Sequence, residues 1–182
     1  MASAMRKNAF QIDKIQAAMA KPSRNFAGSP SPSLARTYFV TSKSIEGRAL
    51  LQSDRMANLF IDVLRSYVAA GKFKIHEFVV MPNHVHLLLT VEAGTTIEKA
   101  VQLIKGNFSY RVRKELGFQG EIWQRGFSDV RITDNASFMY HVEYIRDNPV
   151  KAGLARSAEE YPYCSTYLKL LKRKTAKATS DS

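Results

Sequence analysis

The sequence predicts an α+β fold of the ferredoxin-like, split βαβ (RRM-like) kind. This is an antiparallel sheet with an added C-terminal helix that carries tyrosines. Two observations lead to this prediction. The chain has 182 residues, of which 45% are hydrophobic, and this suits one domain with a true core. Its apolar residues also change period along the chain, which gives the order strand, helix, strand, strand, helix, strand, helix.

The first half of the chain contains three of the predicted strands and one helix. β-branched and aromatic residues predict a strand at residues 36–42. Apolar residues at helical spacing then predict a helix over residues 48–69, which Gly71 ends. Two further strands are expected at residues 74–80 and 84–91, joined by a tight Met-Pro-Asn turn.

The second half of the chain contains two more helices. Helical spacing of apolar residues predicts one over residues 96–116. Residues 121–133 are then expected to be extended. Asp134 or Thr133 is suited to cap a third helix, which is expected to reach Asn148, where the following proline stops it.

Both ends of the chain are expected to lie outside the folded unit, which we place at residues 35–171. Proline, glycine and serine at residues 22–33 favour a flexible N-terminal tail over residues 1–34. Residues 172–182 are predicted to form a basic, polar C-terminal tail. No stretch approaches the roughly 20 apolar residues of a membrane-spanning helix, and no signal peptide is recognisable.

The charge balance points to a polyanionic partner. The chain has 27 Lys and Arg against 16 Asp and Glu, a formal net charge of +11. Nucleic acid is the commonest partner of so basic a chain, and a basic protein kept soluble by its charge is the alternative. The single cysteine, Cys164, excludes an internal disulfide framework, so a cytoplasmic setting is expected.

A His-Val-His triplet is the first candidate for chemistry. Because side chains alternate along a strand, His84 and His86 are expected to share one face of the sheet. Two such imidazoles can chelate one divalent ion together with one further ligand. The triplet follows a turn, which puts the pair at the accessible end of its strand. The alternative is two histidines on a partly polar face.

The third predicted helix carries a second candidate group. Tyr140, Tyr144 and Asn148 are spaced by four, so they form one stripe beside the apolar face of the helix. Tyr144 and Asn148 are therefore one turn apart on the border between core and solvent. The alternative for Tyr144 is ordinary packing, with its hydroxyl bonded to a neighbour.

Five sequence blocks follow one another in the order and spacing of a known family. They are VVMPNHVHLLL (79–89), IKGNFSYRVRK (104–114), IWQRGFSDVRI (122–132), YHVEYIRDNPVKAGL (140–154) and YPYCS (161–165). Together they resemble the single-tyrosine HUH transposases of the insertion-sequence type, and most closely the REP-associated tyrosine transposases. The resemblance runs from about residue 38 to residue 167.

The resemblance implies roles for the two candidate groups. His84 and His86 match the HUH pair, which would bind Mg²⁺ or Mn²⁺. Tyr144 matches the nucleophile, with Tyr140 as the competing candidate one turn earlier. Asn148 stands where related insertion-sequence enzymes have a glutamine that completes the metal site, so it is the expected third ligand.

The function implied is that of a metal-dependent endonuclease and strand transferase. It would cut and rejoin single-stranded or hairpin DNA at palindromic repeats through a 5′-phosphotyrosine intermediate, without a nucleotide cofactor. Relatives include dimers and members that act alone, so both a monomer and a homodimer stay open, and the block match favours the monomer. The alternatives are a catalytically inactive DNA-binding protein and a replication initiator or relaxase. The Asn-Pro-Val-Lys context argues against the latter two enzymes.

Basic and aromatic side chains on the second helix and beyond are candidates for DNA contacts. Cations would bind phosphates, and an aromatic ring can stack on unpaired bases. The candidates are Lys105, Arg111, Arg113, Lys114, Trp123, Arg125, Arg131 and Lys151. Core packing is the alternative for Trp123, and a solvated charge in a turn is the alternative for Lys151.

Overall fold

Four antiparallel strands form the sheet, in the order β2-β3-β1-β4. The computed structural model describes residues 34–180, with side chains to residue 177. The strands are β1 (Arg36–Lys43), β2 (Phe73–Met81), β3 (His84–Val91) and β4 (Ser128–Ile132). The helices are α1 (Asp54–Ala69), α2 (Ile97–Leu116), α3 (Asn135–Lys151) and α4 (Ser165–Ser180). This connectivity and strand order confirm the predicted ferredoxin-like α+β fold.

The two faces of the sheet bury different helices. On one face, α1 and α2 pack over Val40, Leu87 and Leu89 in the larger core cluster. On the other face, Val142 and Ile145 of α3 pack with Phe39 and Leu88. Because strand side chains alternate, β3 residues two apart share a face. His84 and His86 therefore lie on the α3 face, with Leu88.

The N-terminus of α1 differs from the prediction. The helix begins at Asp54, where the Ser53 side chain accepts a hydrogen bond from the Met56 amide (3.3 Å), so the predicted start at residue 48 is wrong. Leu51 is buried at 1% exposure in the preceding loop, and its amide donates to the carbonyl of Pro82. Leu51 therefore has the spacing of a helical core residue, although it reaches the core from the loop before the helix.

The C-terminus of α3 also differs. The helix continues through Pro149 to Lys151, so the predicted stop at Asn148 is wrong. It ends in a Schellman motif, in which the Gly153 amide donates to the Val150 carbonyl (3.0 Å) and the Leu154 amide to the Pro149 carbonyl (2.9 Å). Gly153 has a φ of 68°, which suits glycine. Pro149 thus lies in the last turn, where it has no N–H to donate to the Ile145 carbonyl.

The sequence patterns do not predict α4. The expected end of the folded unit at residue 171 falls inside this helix. That domain boundary and the tail over residues 172–182 stay predictions. Just before α4, the backbone of Cys164 forms an isolated β-bridge with Val79, and the Tyr163 carbonyl accepts a hydrogen bond from the Val80 amide (2.9 Å). This segment covers the edge of β2 that no strand pairs with. The predicted N-terminal tail lies outside the described residues, apart from Leu34. No described helix is long and apolar enough to cross a membrane.

A buried carboxylate joins α3 and α4 to the sheet. Glu77 on β2 is only 2% exposed, and it accepts hydrogen bonds from Ser165, from Thr166 (3.1 Å) and from the Lys169 ammonium group (2.9 Å), all on α4. The Arg146 guanidinium of α3 lies 3.5 Å away. Glu77 thereby links the position of α3 to that of α4.

We expect Glu77→Gln to lower the free energy of unfolding by about 2 kcal/mol, measured by urea denaturation. A neutral amide accepts fewer of these hydrogen bonds and forms no ion pair with either cation, which destabilises the folded state. The loss is limited because Arg146 and Lys169 are half-exposed and can be hydrated instead. The matched control is Glu92→Gln, since Glu92 pairs with Lys74 at the exposed surface (2.9 Å), and it should cost less than about 1 kcal/mol. Equal losses would contradict the role given to Glu77.

Candidate active site

Two histidines of β3 form the centre of the candidate site. The rings of His84 and His86 are 4.7 Å apart between centroids, at an interplanar angle of 72°. His86 is 4% exposed and stacks on Phe39, with the ring centroids 5.2 Å apart, whereas His84 is half-buried at the end of the strand. The pair therefore opens to solvent on the His84 side.

Each imidazole is oriented by a hydrogen bond at Nδ1. His86 Nδ1 lies 2.8 Å from Thr41 Oγ1, and His84 Nδ1 lies 2.7 Å from the side-chain oxygen of Asn83. An amide oxygen only accepts hydrogen bonds, so Nδ1 of His84 is the donor in its contact with Asn83. Histidines that ligate metals are commonly held in this way through their other nitrogen.

Burial keeps both imidazoles neutral at neutral pH. Desolvation lowers the pKa of His84 to about 4; a hydrogen bond with Asn148 opposes this shift, and the charge of Lys43 adds to it. Desolvation also places the pKa of His86 well below its usual 6.5, helped by positive charge at His84, Lys43 and His141. A histidine must be neutral to ligate a metal, so the pair is ready to do so.

Helix α3 brings the tyrosine and asparagine of the predicted stripe to this pair. The Tyr144 ring meets the His86 ring at 5.3 Å between centroids and the Phe39 ring at 5.6 Å. One turn later, the Asn148 amide nitrogen donates to the Tyr144 carbonyl (3.3 Å), and its side chain also bonds to His84. The four residues form one half-buried cluster within a single chain.

Tyr140 occupies a different environment from Tyr144. Its ring stacks on Tyr144 at 6.5 Å between centroids and meets His141 edge-on at 5.2 Å. The side chain is exposed, and its described ring contacts are with these two residues rather than with His84 or His86. Tyr140 is therefore a neighbour of the cluster and not part of its centre.

The donor set of the cluster fits a divalent cation. It offers two neutral imidazoles and one amide group, a mixture of nitrogen and oxygen donors that divalent metals accept. The described residues contain no group of three or more His, Cys, Asp and Glu side chains that could hold a metal. A third protein ligand beside His84 and His86 would therefore be a neutral oxygen atom. The side-chain amide of Asn148 can supply it, because it contacts His84.

Four of the predicted DNA-binding cations lie away from this cluster. Lys105, Arg111, Arg113 and Lys114 belong to α2, which packs on the opposite face of the sheet. Arg113 and Lys114 are exposed, whereas Arg111 pairs with Glu115 (2.6 Å). The structure does not bring these side chains together with the histidine pair.

Lys105 and Trp123 hold the segment that follows α2. The Lys105 ammonium group donates to the carbonyls of Gln124 (2.9 Å) and Gly126 (2.7 Å), and burial lowers its pKa. The Trp123 ring packs against Phe60 and Phe108 at 5.8 and 5.5 Å between centroids. Both side chains therefore have a clear structural role.

The remaining candidates lie at several positions around the sheet. The Trp123 backbone bridges to Ser44, which brings the exposed Arg125 towards the His84 end of the sheet. Arg131 is exposed on the edge strand β4, opposite Tyr38 in register. Lys151 forms an ion pair with Asp147 (3.1 Å).

Three residues beside the cluster were missed by sequence reasoning. Asn83 directly precedes His84, so its place in the turn could have suggested a contact. Thr41 and Lys43 lie about 40 positions before the histidines, and only the pairing of β1 with β3 brings them together. No local motif marks either residue.

Comparisons with known proteins agree with the resemblance. A family model described as "Transposase IS200 like" matches residues 38–148, more than half of the chain. A Haemophilus influenzae protein named "Putative REP-associated tyrosine transposase" is 26% identical over 133 residues, which cover 64% of this chain and 76% of that protein. The REP-associated tyrosine transposase of Escherichia coli is 29% identical over 92 residues, or 50% of this chain and 53% of that protein.

A solved structure supports the fold. A REP-associated tyrosine transposase bound to a REP hairpin superposes with a TM-score of 0.62 at 24% identity, covering 82% of this chain and 86% of that one. The matched family region contains His84, His86, Tyr144 and Asn148. This chain belongs to the IS200-like transposase family, as the five sequence blocks indicated, and it resembles the REP-associated tyrosine transposases within it.

Proposed function

We propose that this chain is a metal-dependent transposase that cuts and rejoins single-stranded DNA beside hairpins of palindromic repeats. The observation that carries the proposal is the contact of Tyr144 and Asn148 with the His84 and His86 pair. The names of the relatives and the bound REP hairpin of the solved structure support the choice of DNA substrate. The net charge of +11 is in keeping with it.

Tyr144 is the proposed nucleophile. Its phenol oxygen attacks phosphorus, a bond from that oxygen to phosphorus forms, and the bond from phosphorus to the 3′ oxygen breaks. The phenol proton leaves during attack, and the departing 3′ oxygen takes up a proton to become a hydroxyl. The product is a 5′-phosphotyrosine. Since the covalent link conserves the bond energy, a 3′-hydroxyl from another strand can attack it and rejoin the DNA without a nucleotide cofactor.

His84, His86 and Asn148 are the proposed holders of Mg²⁺ or Mn²⁺. When bound, such a cation supplies Lewis-acid stabilisation of the charge on the phosphate oxygens. Thr41 and Asn83 orient the imidazoles, and the burial of Ile145 keeps α3, and with it Tyr144, against the sheet. The match of the five sequence blocks favours action as a monomer, and a homodimer is the alternative.

The DNA contacts are proposed to extend around the sheet from this site. Arg113, Lys114, Arg125 and Arg131 are exposed and suited to phosphates. The proposed surface also includes Lys105, Arg111, Trp123 and Lys151, each of which already has a partner within the protein. A contact to DNA from these four would replace or share that partner.

Tyr144→Phe should abolish the covalent adduct, because the phenol oxygen is the group that bonds to phosphorus. The assay mixes the protein with labelled hairpin oligonucleotides that carry unpaired flanks, adds Mn²⁺, and separates protein–DNA adducts on a denaturing gel. The matched control is Tyr140→Phe, one turn away, which should keep an adduct within about threefold of wild type, since the ring contacts described for Tyr140 are with Tyr144 and His141.

Two results would change the proposal. An adduct that survives in Tyr144→Phe but not in Tyr140→Phe would move the nucleophile to Tyr140. Tight hairpin binding by the wild type without any adduct, over a range of hairpins and metals, would favour a catalytically inactive DNA-binding protein.

Metal affinity should be almost independent of pH above pH 6. With the pKa of His84 at about 4 and that of His86 well below 6.5, protons compete with the metal only in more acid solution. The dissociation constant for Mn²⁺, measured by titration of the free-ion EPR signal, should therefore change less than about twofold between pH 8 and pH 6. Affinity should then fall as the pH approaches 4, with circular dichroism confirming that the protein stays folded. A more than tenfold weakening by pH 6 would mean that the histidines have ordinary pKa values.

A further inference from the structure

We propose that Lys43 is a further residue of this site, whose ammonium group binds the DNA phosphate that Tyr144 attacks. The inference rests on the function proposed above and adds a residue that no sequence motif marks. It is carried by the position of Lys43 in the sheet, by the lack of a partner for its charge within the described chain, and by its nearness to both histidines.

The register of β1 puts Lys43 beside the histidine pair. Lys43 pairs with His84, and Thr41 pairs with His86. The Thr41 hydroxyl bonds to the His86 ring and the Phe39 ring stacks on it, so both side chains lie on the α3 face. Since residues two apart on a strand share a face, the Lys43 side chain leaves the sheet on that face as well.

The Lys43 ammonium group is available to a ligand. The side chain is exposed, while the backbone is held by the Gln124 amide, which donates to the Lys43 carbonyl (2.9 Å). Within residues 34–177, its ammonium group makes no ion pair or hydrogen bond. Two cations of α3 differ, because Arg146 pairs with Glu77 and Lys151 pairs with Asp147.

The charge of Lys43 acts on the place where the metal would bind. Lys43 lies opposite His84 in the strand register and shares its face of the sheet, so the field of its charge reaches the histidine pair. The same field opposes a divalent cation at these rings. A phosphate beside Lys43 would be attracted by the ammonium charge and would offset this repulsion, so the position favours an anion at the site.

During attack, Lys43 would act as a hydrogen-bond donor to the phosphate and would transfer no proton. The bond from Tyr144 to phosphorus forms as the bond to the 3′ oxygen breaks, and negative charge builds up on the phosphate oxygens and on the departing oxygen. An ammonium group aimed at those oxygens stabilises that charge. The proton that the 3′ oxygen takes up comes from solvent.

The test compares Lys43→Met with Lys43→Arg and with Lys72→Met as the matched control. Lys72 is exposed beside Phe73, which pairs with Val91 at the end of the sheet opposite His84. At saturating hairpin DNA and Mn²⁺, Lys43→Met should slow adduct formation by about 10–100-fold. Lys43→Arg should stay within about fivefold of wild type because it keeps the charge. Lys72→Met should match wild type.

A second readout separates this role from a structural one. Without DNA, Lys43→Met should bind Mn²⁺ about two- to fivefold more tightly than wild type, because a repulsive charge has been removed. A variant with slower cleavage and tighter metal binding supports the proposal. Lys43→Met that cleaves at the wild-type rate overturns it, and so does a variant in which cleavage and metal binding weaken together. A wild-type protein that forms no adduct refutes the proposed function itself, and the role of Lys43 with it.

Discussion

The pairing register of β1 with β3 is the constraint on which the candidate site depends. It places Thr41 opposite His86 and Lys43 opposite His84, all on the face that α3 covers. A slip of one residue would turn each β1 side chain to the other face, which would leave His86 without its partner and send Lys43 towards α1 and α2. The apolar alternation of Phe39 and Val40 between two separate core clusters opposes such a slip.

The position of α3 completes the site, and it is determined by contacts that have no chemical role. Val142 and Ile145 bury one stripe of the helix against the sheet, and this brings the neighbouring stripe with Tyr144 to the His86 ring. Arg146 connects the outer side of the same helix to the buried Glu77. The proposed nucleophile is therefore positioned by packing in advance, which would spare the reaction the entropy of ordering it.

Much of the fold and of the site's centre could be predicted from the sequence. Apolar periodicity is a local property, so it identified the four strands and three of the helices in the correct order. The His84 and His86 pair and the spacing of Tyr144 and Asn148 are local as well, because strand and helix geometry decide which side chains share a face. The order of the five sequence blocks was enough to identify the family.

Tertiary structure alone decided the rest. Leu51 has helical spacing but reaches the core from a loop, and Pro149 sits in the last turn of α3 because the Schellman motif ends the helix later. The cations of α2 lie behind the sheet because that helix covers the other face. Lys43 stands beside His84 through strand pairing across about 40 residues. Local patterns determine which helices and strands form. Long-range strand pairing and burial determine which side chains meet, and local patterns do not specify the contacts between residues far apart in the chain.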